Sequence, residues 1–300
     1  MPEKNRQRAL TALLGAVLIW SSTYVSTKIT MNQVPPITLA FLRFALASLV
    51  LYPFFHRERQ RQEKPEPIPW GALSLLGLTG AFLYFALQNW GLYYTSVSAG
   101  SLIQGAIPAI IALFSVVFLG ERIDAFRGIG IFLAIAGVAA IVFLGGEVSG
   151  GSHPILGNLM MFGSCLAWGA YTILNKRLNL TISPVTATLA TFLYGMLFML
   201  PVVIFELWGF SLSLNWITVV NVLYLGMVAS ALPIFLWNYA LLYYDASEAG
   251  LYINLVPVIS VISAMFFLAE RVNAGQLLAG LVVILGVLVA SGIGFGRKES

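Results

Sequence analysis

Long apolar runs, separated by short polar or proline-containing segments, form most of the chain. Ten of them are about as long as the ~20 residues that an α-helix needs to cross a ~30 Å bilayer core. They cover approximately residues 10–29, 36–55, 70–94, 98–119, 126–144, 155–176, 184–205, 216–238, 249–269 and 274–294. A membrane-spanning strand uses only ~10 residues and alternates apolar with polar positions, which none of these runs does strictly. The pattern therefore predicts an all-α, polytopic membrane protein with ten transmembrane helices.

Composition excludes a soluble domain. Of the 300 residues, 59% are hydrophobic and 9% are charged, whereas soluble domains carry about 25% charged residues. The net charge of +4 comes from short basic clusters beside the runs, so nucleic acid is not an expected partner. The single cysteine, Cys165, lies inside a run, and no metal-ligand spacing accompanies it. We expect the lipid bilayer and a small-molecule substrate as partners and no metal or cofactor, while a homodimer is left open.

Lysine and arginine residues predict the orientation of the helices, because positive charge collects on the cytoplasmic side. With the N-terminus inside, thirteen of them lie on that side: Lys4, Arg6, Arg8, Arg57, Arg59, Arg61, Lys64, Arg122, Arg127, Lys176, Arg177, Arg297 and Lys298. Lys28 and Arg271 lie on the outer side, so both termini are predicted to be cytoplasmic. The basic start resembles a signal peptide, but the first run is too long for an h-region and is interpreted as a retained helix.

The chain matches itself when it is shifted by 148 to 150 residues. The matches include Trp20 with Trp168, Lys28 with Lys176, Pro36 with Pro184, Pro108 with Pro257, and Glu121-Arg122 with Glu270-Arg271. Apolar similarity alone would not align such different residue types in the same order, so we predict two repeats, residues 1–147 and 152–300. Each repeat has five runs, and an odd number makes the second repeat enter the membrane inverted. Two inverted halves around a central site favour alternating access.

Several landmarks of each half resemble a known family. They are Tyr93-Tyr94-x-Ser96-x-Ser98-Ala99-Gly100, Pro108 and Leu119-Gly120-Glu121-Arg122, with Ala246-Ser247-Glu248-Ala249-Gly250, Pro257 and Leu268-Ala269-Glu270-Arg271 as counterparts. Over nearly the whole chain the pattern is similar to the drug/metabolite transporter superfamily, specifically its ten-helix EamA-type members. The resemblance implies a secondary transporter of the bacterial inner membrane, commonly an exporter of amino acids or related metabolites. It does not identify the cargo, since the superfamily also carries sugars, nucleotide sugars and drugs.

Polar and aromatic side chains deep in a run are costly against lipid and are expected to face the protein interior. The predicted cargo-path residues are Trp20, Tyr24, Tyr84, Gln88, Asn89, Gln104, Trp168, Tyr171, Asn238, Tyr239, Tyr252 and Asn254. Any single one could instead pack between helices. Their recurrence on corresponding helices of both halves favours a shared cavity, in which Trp20 and Trp168 flank an uncharged or zwitterionic cargo. The aromatic lining agrees with amino acids that have large apolar side chains, and also with other solutes.

Arg43 is the only charged residue near the interior of a run, about 10 Å from its outer end. One interpretation is a clamp for a cargo carboxylate, which places Arg43 among the substrate-binding candidates. The other is structural, with the guanidinium capping the carbonyls of a broken helix or reaching toward the outer headgroups.

Two further sets of matched residues suggest moving parts. Pro108 and Pro257 are predicted to bend their helices as hinges or as static kinks, because each removes a backbone hydrogen bond. Four charged residues at helix ends predict gates, with Lys28 pairing with Glu270 outside and Lys176 with Glu121 inside. Local capping of the helix ends is the alternative.

Competing functions find little support in the residues. An intramembrane hydrolase needs a nucleophile with a base or a metal, whereas His56 and His153 lie between runs and no acidic residue lies at a run centre. We therefore expect no enzyme and no catalytic residue, and a receptor would not require an inverted duplication. The missing central carboxylate also argues against obligatory proton coupling and favours facilitated export.

Overall fold

The computed structural model describes residues 3–61, 69–120, 125–144, 152–178, 184–210, 214–230, 232–233, 236, 240, 243 and 252–290. Within these ranges every regular element is helical. In chain order the helices are α1 (Glu3–Thr30), α2 (Pro36–Arg61), α3 (Trp70–Tyr94), α4 (Val97–Leu119), α5 (Ala125–Leu144), α6 (Pro154–Leu178), α7 (Pro184–Leu207), α8 (Trp216–Val228), α9 (Leu255–Phe267) and α10 (Ala274–Ala290). Each of the ten predicted runs overlaps one of these helices, so the all-helical prediction is confirmed for the described residues.

Helix length and composition mark this as a membrane fold. Six of the described helices, α1, α2, α3, α4, α5 and α7, are long and apolar enough to cross a bilayer, and α8, α9 and α10 are shorter apolar helices. The remaining helix, α6, has 25 residues but includes polar side chains such as Asn158 and Ser164. The multi-helix membrane fold is therefore confirmed, and ten complete crossings stay a prediction.

α4 is interrupted near its middle. Its first segment ends at Gln104 and its second begins at Ile107, and the N–H of Ala106 bonds to the carbonyl of Ile103 at 3.0 Å in a tighter turn. Pro108 therefore lies in the first turn of the second segment rather than bending a continuous helix as predicted. Proline is tolerated there, because N–H groups of a first turn have no acceptor within the helix.

α9 has a matching interruption. It begins at Leu255 directly after a turn at Asn254, so Pro257 also lies in a first turn. A Cβ atom added to Gly105 in the α4 interruption would lie 3.2 Å from Cγ of Pro257. The interruptions of α4 and α9 are thus in contact with each other.

α5 and α10 pack through their glycines with almost no space between the backbones. A Cβ on Gly130 would lie 2.2 Å from the amide nitrogen of Ala290 and 2.6 Å from the carbonyl oxygen of Gly286, and one on Gly137 would lie 2.8 Å from Cγ2 of Val283. Gly130, near the start of α5, thus contacts the end of α10, and Gly137 contacts an earlier part of α10. The two helices therefore run antiparallel. We call this contact the glycine seam. It resembles the small-residue interfaces by which membrane helices approach closely.

α2 and α7 form a second antiparallel pair. The rings of Phe44 and Phe192, which match under the shift of 148 residues, stack with centroids 4.6 Å apart. The carboxylate of Glu206 near the end of α7 accepts hydrogen bonds from the amides of Ile37 and Thr38, at 3.0 and 2.7 Å, at the start of α2. An anionic group stabilises a helix N-terminus, where amides lack partners and the helix dipole is positive. A residue of the second half thus caps the start of a helix of the first half.

α3 and α8 each contain a π-helical stretch, at Gly77–Leu83 and Tyr224–Val228. A Cβ on Gly77 would lie 2.4 Å from Cβ of Tyr194 on α7, and a Cβ on Gly226 would lie 2.6 Å from Cβ of Leu46 on α2. Gly77 matches Gly226 under a shift of 149, and Leu46 matches Tyr194 under a shift of 148. The same close helix contact thus occurs twice, with the halves exchanged. Wide turns of this kind are frequent at functional sites of membrane and soluble helices.

Candidate functional site

The side chain of Gln104 is buried where the first segment of α4 ends, and it joins four helices. Its Oε1 accepts hydrogen bonds from the hydroxyl of Tyr24, from Nε2 of Gln88 at 3.0 Å and from the hydroxyl of Tyr84 at 3.4 Å. Its Nε2 donates to Oγ of Ser164 at 2.9 Å. We call these five residues the Gln104 cluster. It connects α1, α3 and α4 of the first half with α6 of the second, at the point where α4 is broken.

Aromatic rings lie directly beside the Gln104 cluster. The ring centroid of Trp168 lies 4.8 Å from that of Tyr84 and 5.0 Å from that of Tyr171, and we call these three residues the ring wall. Tyr171 packs against Gly80 in the π-helical stretch of α3, where a Cβ would lie 2.3 Å from the ring. Polar groups for orientation next to flat apolar surfaces are the usual composition of a small-molecule site.

Arg43 on α2 reaches across to α8. Its Nε donates to Oγ of Ser230 at 2.9 Å, and its Nη2 lies 3.5 Å from the carbonyl oxygen of Ala229. Both acceptors follow directly after the π-helical stretch of α8. The guanidinium also lies over the ring of Phe85, 5.1 Å from its centroid. In this structure Arg43 therefore makes the contacts of the structural interpretation, in which its guanidinium binds polar groups where a helix is irregular.

Hydroxyl groups link Arg43 to the rest of the site. Its guanidinium is within electrostatic range of the tyrosines 24, 84 and 224, and two of these belong to the Gln104 cluster. Tyr224 also shares a hydrogen bond of 2.6 Å with Oγ of Ser22 on α1. The Gln104 cluster, the ring wall and Arg43 therefore form one continuous polar and aromatic region.

The connection between α3 and α4, residues 95–98, is bound from two sides. Nζ of Lys28 donates to the carbonyls of Leu92 and Thr95, the latter at 2.7 Å. The carboxylate of Glu270 accepts from the amides of Val97 and Ser98 at 2.8 and 2.9 Å. Lys28 and Glu270 thus bind backbone groups of the same turn rather than each other, although they remain within electrostatic range. The predicted direct ion pair is replaced by two helix caps.

The other predicted residues divide into four groups. Trp20, Tyr252 and Asn254 are half-buried, Trp20 and Tyr252 packing against the main apolar core. Asn89 is buried, and its Nδ2 donates to the carbonyl of Pro36 at 2.8 Å, so this amide supports the start of α2. Lys176 is exposed. Asn238, Tyr239 and Glu121 lie outside the described residues, so that half of the gate prediction cannot be placed.

Several residues of the region were not anticipated. Ser164, Ser230 and Tyr224 are ordinary polar residues in apolar runs, and their partners lie 60 to 202 positions away in the chain. The importance of Glu206 could have been predicted from the sequence repeat. The shift of 148 residues aligns Glu58 with Glu206, and it also aligns Thr38, which Glu206 binds, with Thr186.

The groups of the region are suited to binding a solute. Among the described residues no group of three or more His, Cys, Asp or Glu side chains could hold a metal. Cys165 is fully buried, and its Sγ lies 3.3 Å from the carbonyl oxygen of Met161. Amides, hydroxyls, aromatic faces and one guanidinium can orient a solute but do not form a nucleophile with a base.

Comparison with known proteins identifies a family. The sequence profile of the EamA-like transporter family matches residues 7–143 and, separately, residues 155–292. An uncharacterized transporter of Archaeoglobus fulgidus is 30% identical over 275 residues, which are 92% of this chain and 94% of that protein.

Two further relatives have names that state a cargo. A probable terminal-alkyne amino-acid exporter of Streptantibioticus cattleyicolor is 25% identical, with 97% of this chain and 96% of that protein covered. A probable amino-acid metabolite efflux pump of Escherichia coli is 25% identical, with 95% of each covered. One solved crystal structure superposes with a TM-score of 0.63 at 19% identity, covering 97% of this chain and 98% of that one, so the fold is shared.

Proposed function

Because this chain belongs to the EamA-like transporter family, we propose that it is a secondary carrier that exports amino acids or related metabolites by alternating access. The observation that carries the proposal is the region formed by the Gln104 cluster and the ring wall. It lies where α4 is interrupted, and interrupted helices typically form the midplane sites of secondary transporters. Amide and hydroxyl groups would orient the polar part of the cargo, and the ring wall would contact its apolar part.

Two inverted halves supply the mechanism in this proposal. Helices that correspond between the halves run antiparallel where they meet, in the glycine seam of α5 with α10 and in the pair of α2 with α7. The family profile matches each half separately. An exchange of conformations between two such halves would open the shared site first to one side and then to the other.

Charge distribution supports a location in the bacterial inner membrane with both termini in the cytoplasm, because thirteen of the sixteen lysine and arginine residues then lie inside. In that orientation the 95–98 turn is on the outer side. Its two caps, from Lys28 on α1 and Glu270 after α9, would hold the outer side closed in the conformation described above.

Counterflow in proteoliposomes tests the proposed cargo class. Purified protein is reconstituted with an unlabelled solute inside, and uptake of a labelled solute is measured for a panel of amino acids, N-acylated amino acids, sugars and nucleotides. We expect uptake of members of the amino-acid group and none of sugars or nucleotides. Uptake of only sugars or nucleotides would give the protein a different cargo class, and no uptake of any member would contradict the carrier proposal.

We expect Glu270→Gln to make the central region more accessible from the outer side. The amide replaces an anion at the N-terminus of α4, which weakens a cap of about 1 kcal/mol and shifts a two-state equilibrium about fivefold. The measurement is the rate at which an impermeant maleimide, added outside right-side-out vesicles, labels the thiol introduced by Gln88→Cys in a Cys165→Ser background. Glu206→Gln removes a similar cap from α2 and is the matched control. Equal labelling rates in the two variants would contradict the proposal that the Glu270 cap holds the outer side closed.

A further inference from the structure

Arg43 is a fixed positive charge in a membrane interior that has no acidic residue. All twelve Asp and Glu residues of the chain lie outside the ten apolar runs, whereas Arg43 lies within the second run. A guanidinium stays protonated in proteins. A buried charge that only neutral groups contact is costly compared with one that faces an anion. The ten apolar runs do not provide that anion, and Glu206 at the end of α7 is used on the amides of Ile37 and Thr38.

The neighbours of Arg43 leave part of its hydrogen-bonding capacity unused. A guanidinium has five N–H groups, and among the residues that the structure describes this side chain bonds to Ser230 and to the carbonyl of Ala229. Among the described residues, Oγ of Ser48 is the one buried side-chain polar atom without a partner. Three of the five N–H groups of Arg43 therefore have no acceptor among the described residues, and these are the groups that a carboxylate could engage.

An apolar surface begins at the guanidinium. The ring of Phe85 lies under Arg43 at 5.1 Å, Phe85 contacts the edge of Tyr84 at 4.9 Å, and Tyr84 lies 4.8 Å from Trp168. A ligand with an anionic group at one end and a flat apolar body at the other would match this order of groups. A carboxylate fits because it accepts two parallel hydrogen bonds from a guanidinium.

A free ammonium group would find no equivalent partner. The ten apolar runs carry no carboxylate, and Oε1 of Gln104 already accepts hydrogen bonds from Tyr24, Gln88 and Tyr84. We infer that the preferred cargo is an organic monoanion, with a carboxylate bound by Arg43 and an aromatic or apolar body on the ring wall, and without a free ammonium group. N-acylated aromatic amino acids have this chemistry. The inference rests on the proposed function and specifies its substrate class.

A monoanionic cargo also gives export a driving force. In a cell with a negative interior, moving one negative charge outward is favoured about 50-fold in concentration ratio per 100 mV. No proton or sodium ion is required, which agrees with apolar runs that have no acidic residue. Zwitterionic or neutral cargo would gain nothing from the potential.

The test compares three labelled solutes in counterflow: N-acetylphenylalanine, phenylalanine and N-acetylphenylalaninamide. We expect N-acetylphenylalanine to be transported about tenfold faster than either of the others. In Arg43→Gln the ratio of N-acetylphenylalanine to the amide should fall to near one, and Arg43→Lys should restore part of it. Arg57→Gln, which changes an exposed arginine on the same helix, is the matched control and should keep the wild-type ratio.

A measurement on the unmodified protein covers the case in which the Arg43 variants fail to fold. A potassium diffusion potential, negative inside, is imposed on proteoliposomes with valinomycin, and it should accelerate efflux of N-acetylphenylalanine but not of phenylalanine. Faster transport of phenylalanine than of its N-acetyl derivative would overturn the inference and leave the carrier proposal intact. Efflux of N-acetylphenylalanine that ignores the potential would overturn it too, whereas no transport of any amino-acid-type solute would contradict the proposed function itself.

Discussion

Gln104→Leu is expected to lower counterflow at least about tenfold. The substitution keeps the approximate volume but removes the acceptor for Tyr24 and Gln88 and the donor to Ser164. Each buried polar group left without a partner costs about 1–3 kcal/mol, so the four helices that meet at this residue lose their common arrangement. Initial rates of counterflow, normalised to the amount of folded protein in the liposomes, measure the effect.

The matched control is Gln33→Leu. Gln33 is half-buried, and its Oε1 accepts a hydrogen bond from the hydroxyl of Thr218 at 2.8 Å. Its hydrogen bonds among the described residues involve no member of the Gln104 cluster. The same change of chemistry there should reduce thermal stability modestly and leave the normalised rate close to wild type. If both variants lost the same share of transport, the effect would be general destabilisation and the central role of Gln104 would be wrong.

Gly130→Ala is expected to destabilise the protein, against the usual direction of this substitution. Alanine normally stabilises a helix relative to glycine by roughly 0.5–1 kcal/mol. At Gly130, however, the added methyl group would lie 2.2 Å from the backbone nitrogen of Ala290, and a backbone atom cannot rotate away. Overpacking of this kind costs about 1–3 kcal/mol or more, and we expect the Tm in detergent to fall by roughly 5 °C or more.

Gly71→Ala is the control variant, for which no loss of stability is expected. Gly71 lies in the first turn of α3, and nothing lies within 4 Å of the Cβ that would be added. Its Tm should therefore stay unchanged or rise slightly, since only the helix propensity is altered. A Gly130→Ala protein as stable as the Gly71→Ala protein would show that the glycine seam is not closely packed.

The helices were predictable from the sequence because the bilayer sets their length. A run of about 20 apolar residues has few alternatives to a helix, since lipid cannot satisfy backbone N–H and C=O groups. The repeat pattern was also visible, because Pro36, Trp20 and Glu121 have matching residues at shifts of 148 or 149 residues. The interruption of α4 was only partly visible. Pro108 marked its position, but the helix ends at Gln104, before the proline.

The site was less predictable because its contacts connect distant parts of the chain. Nothing local distinguishes Gln104, which joins four helices, from Asn89, whose amide is used on a backbone carbonyl. Lys28 and Glu270 were recognised as a pair by charge, yet a backbone amide or carbonyl is as good a partner as an opposite charge. Every residue has such backbone groups, so composition does not reveal which of them an ionised side chain selects.

The glycine seam constrains how the protein is made. α5 begins at Ala125 and α10 at Ala274, so the ribosome has delivered α5 to the membrane long before its partner exists. Until α10 is inserted, the bare backbone face of α5 meets only lipid chains or the insertion machinery, which fill the groove less closely than the other helix does. The close packing of α5 is therefore completed only late in translation, when α10 reaches the membrane.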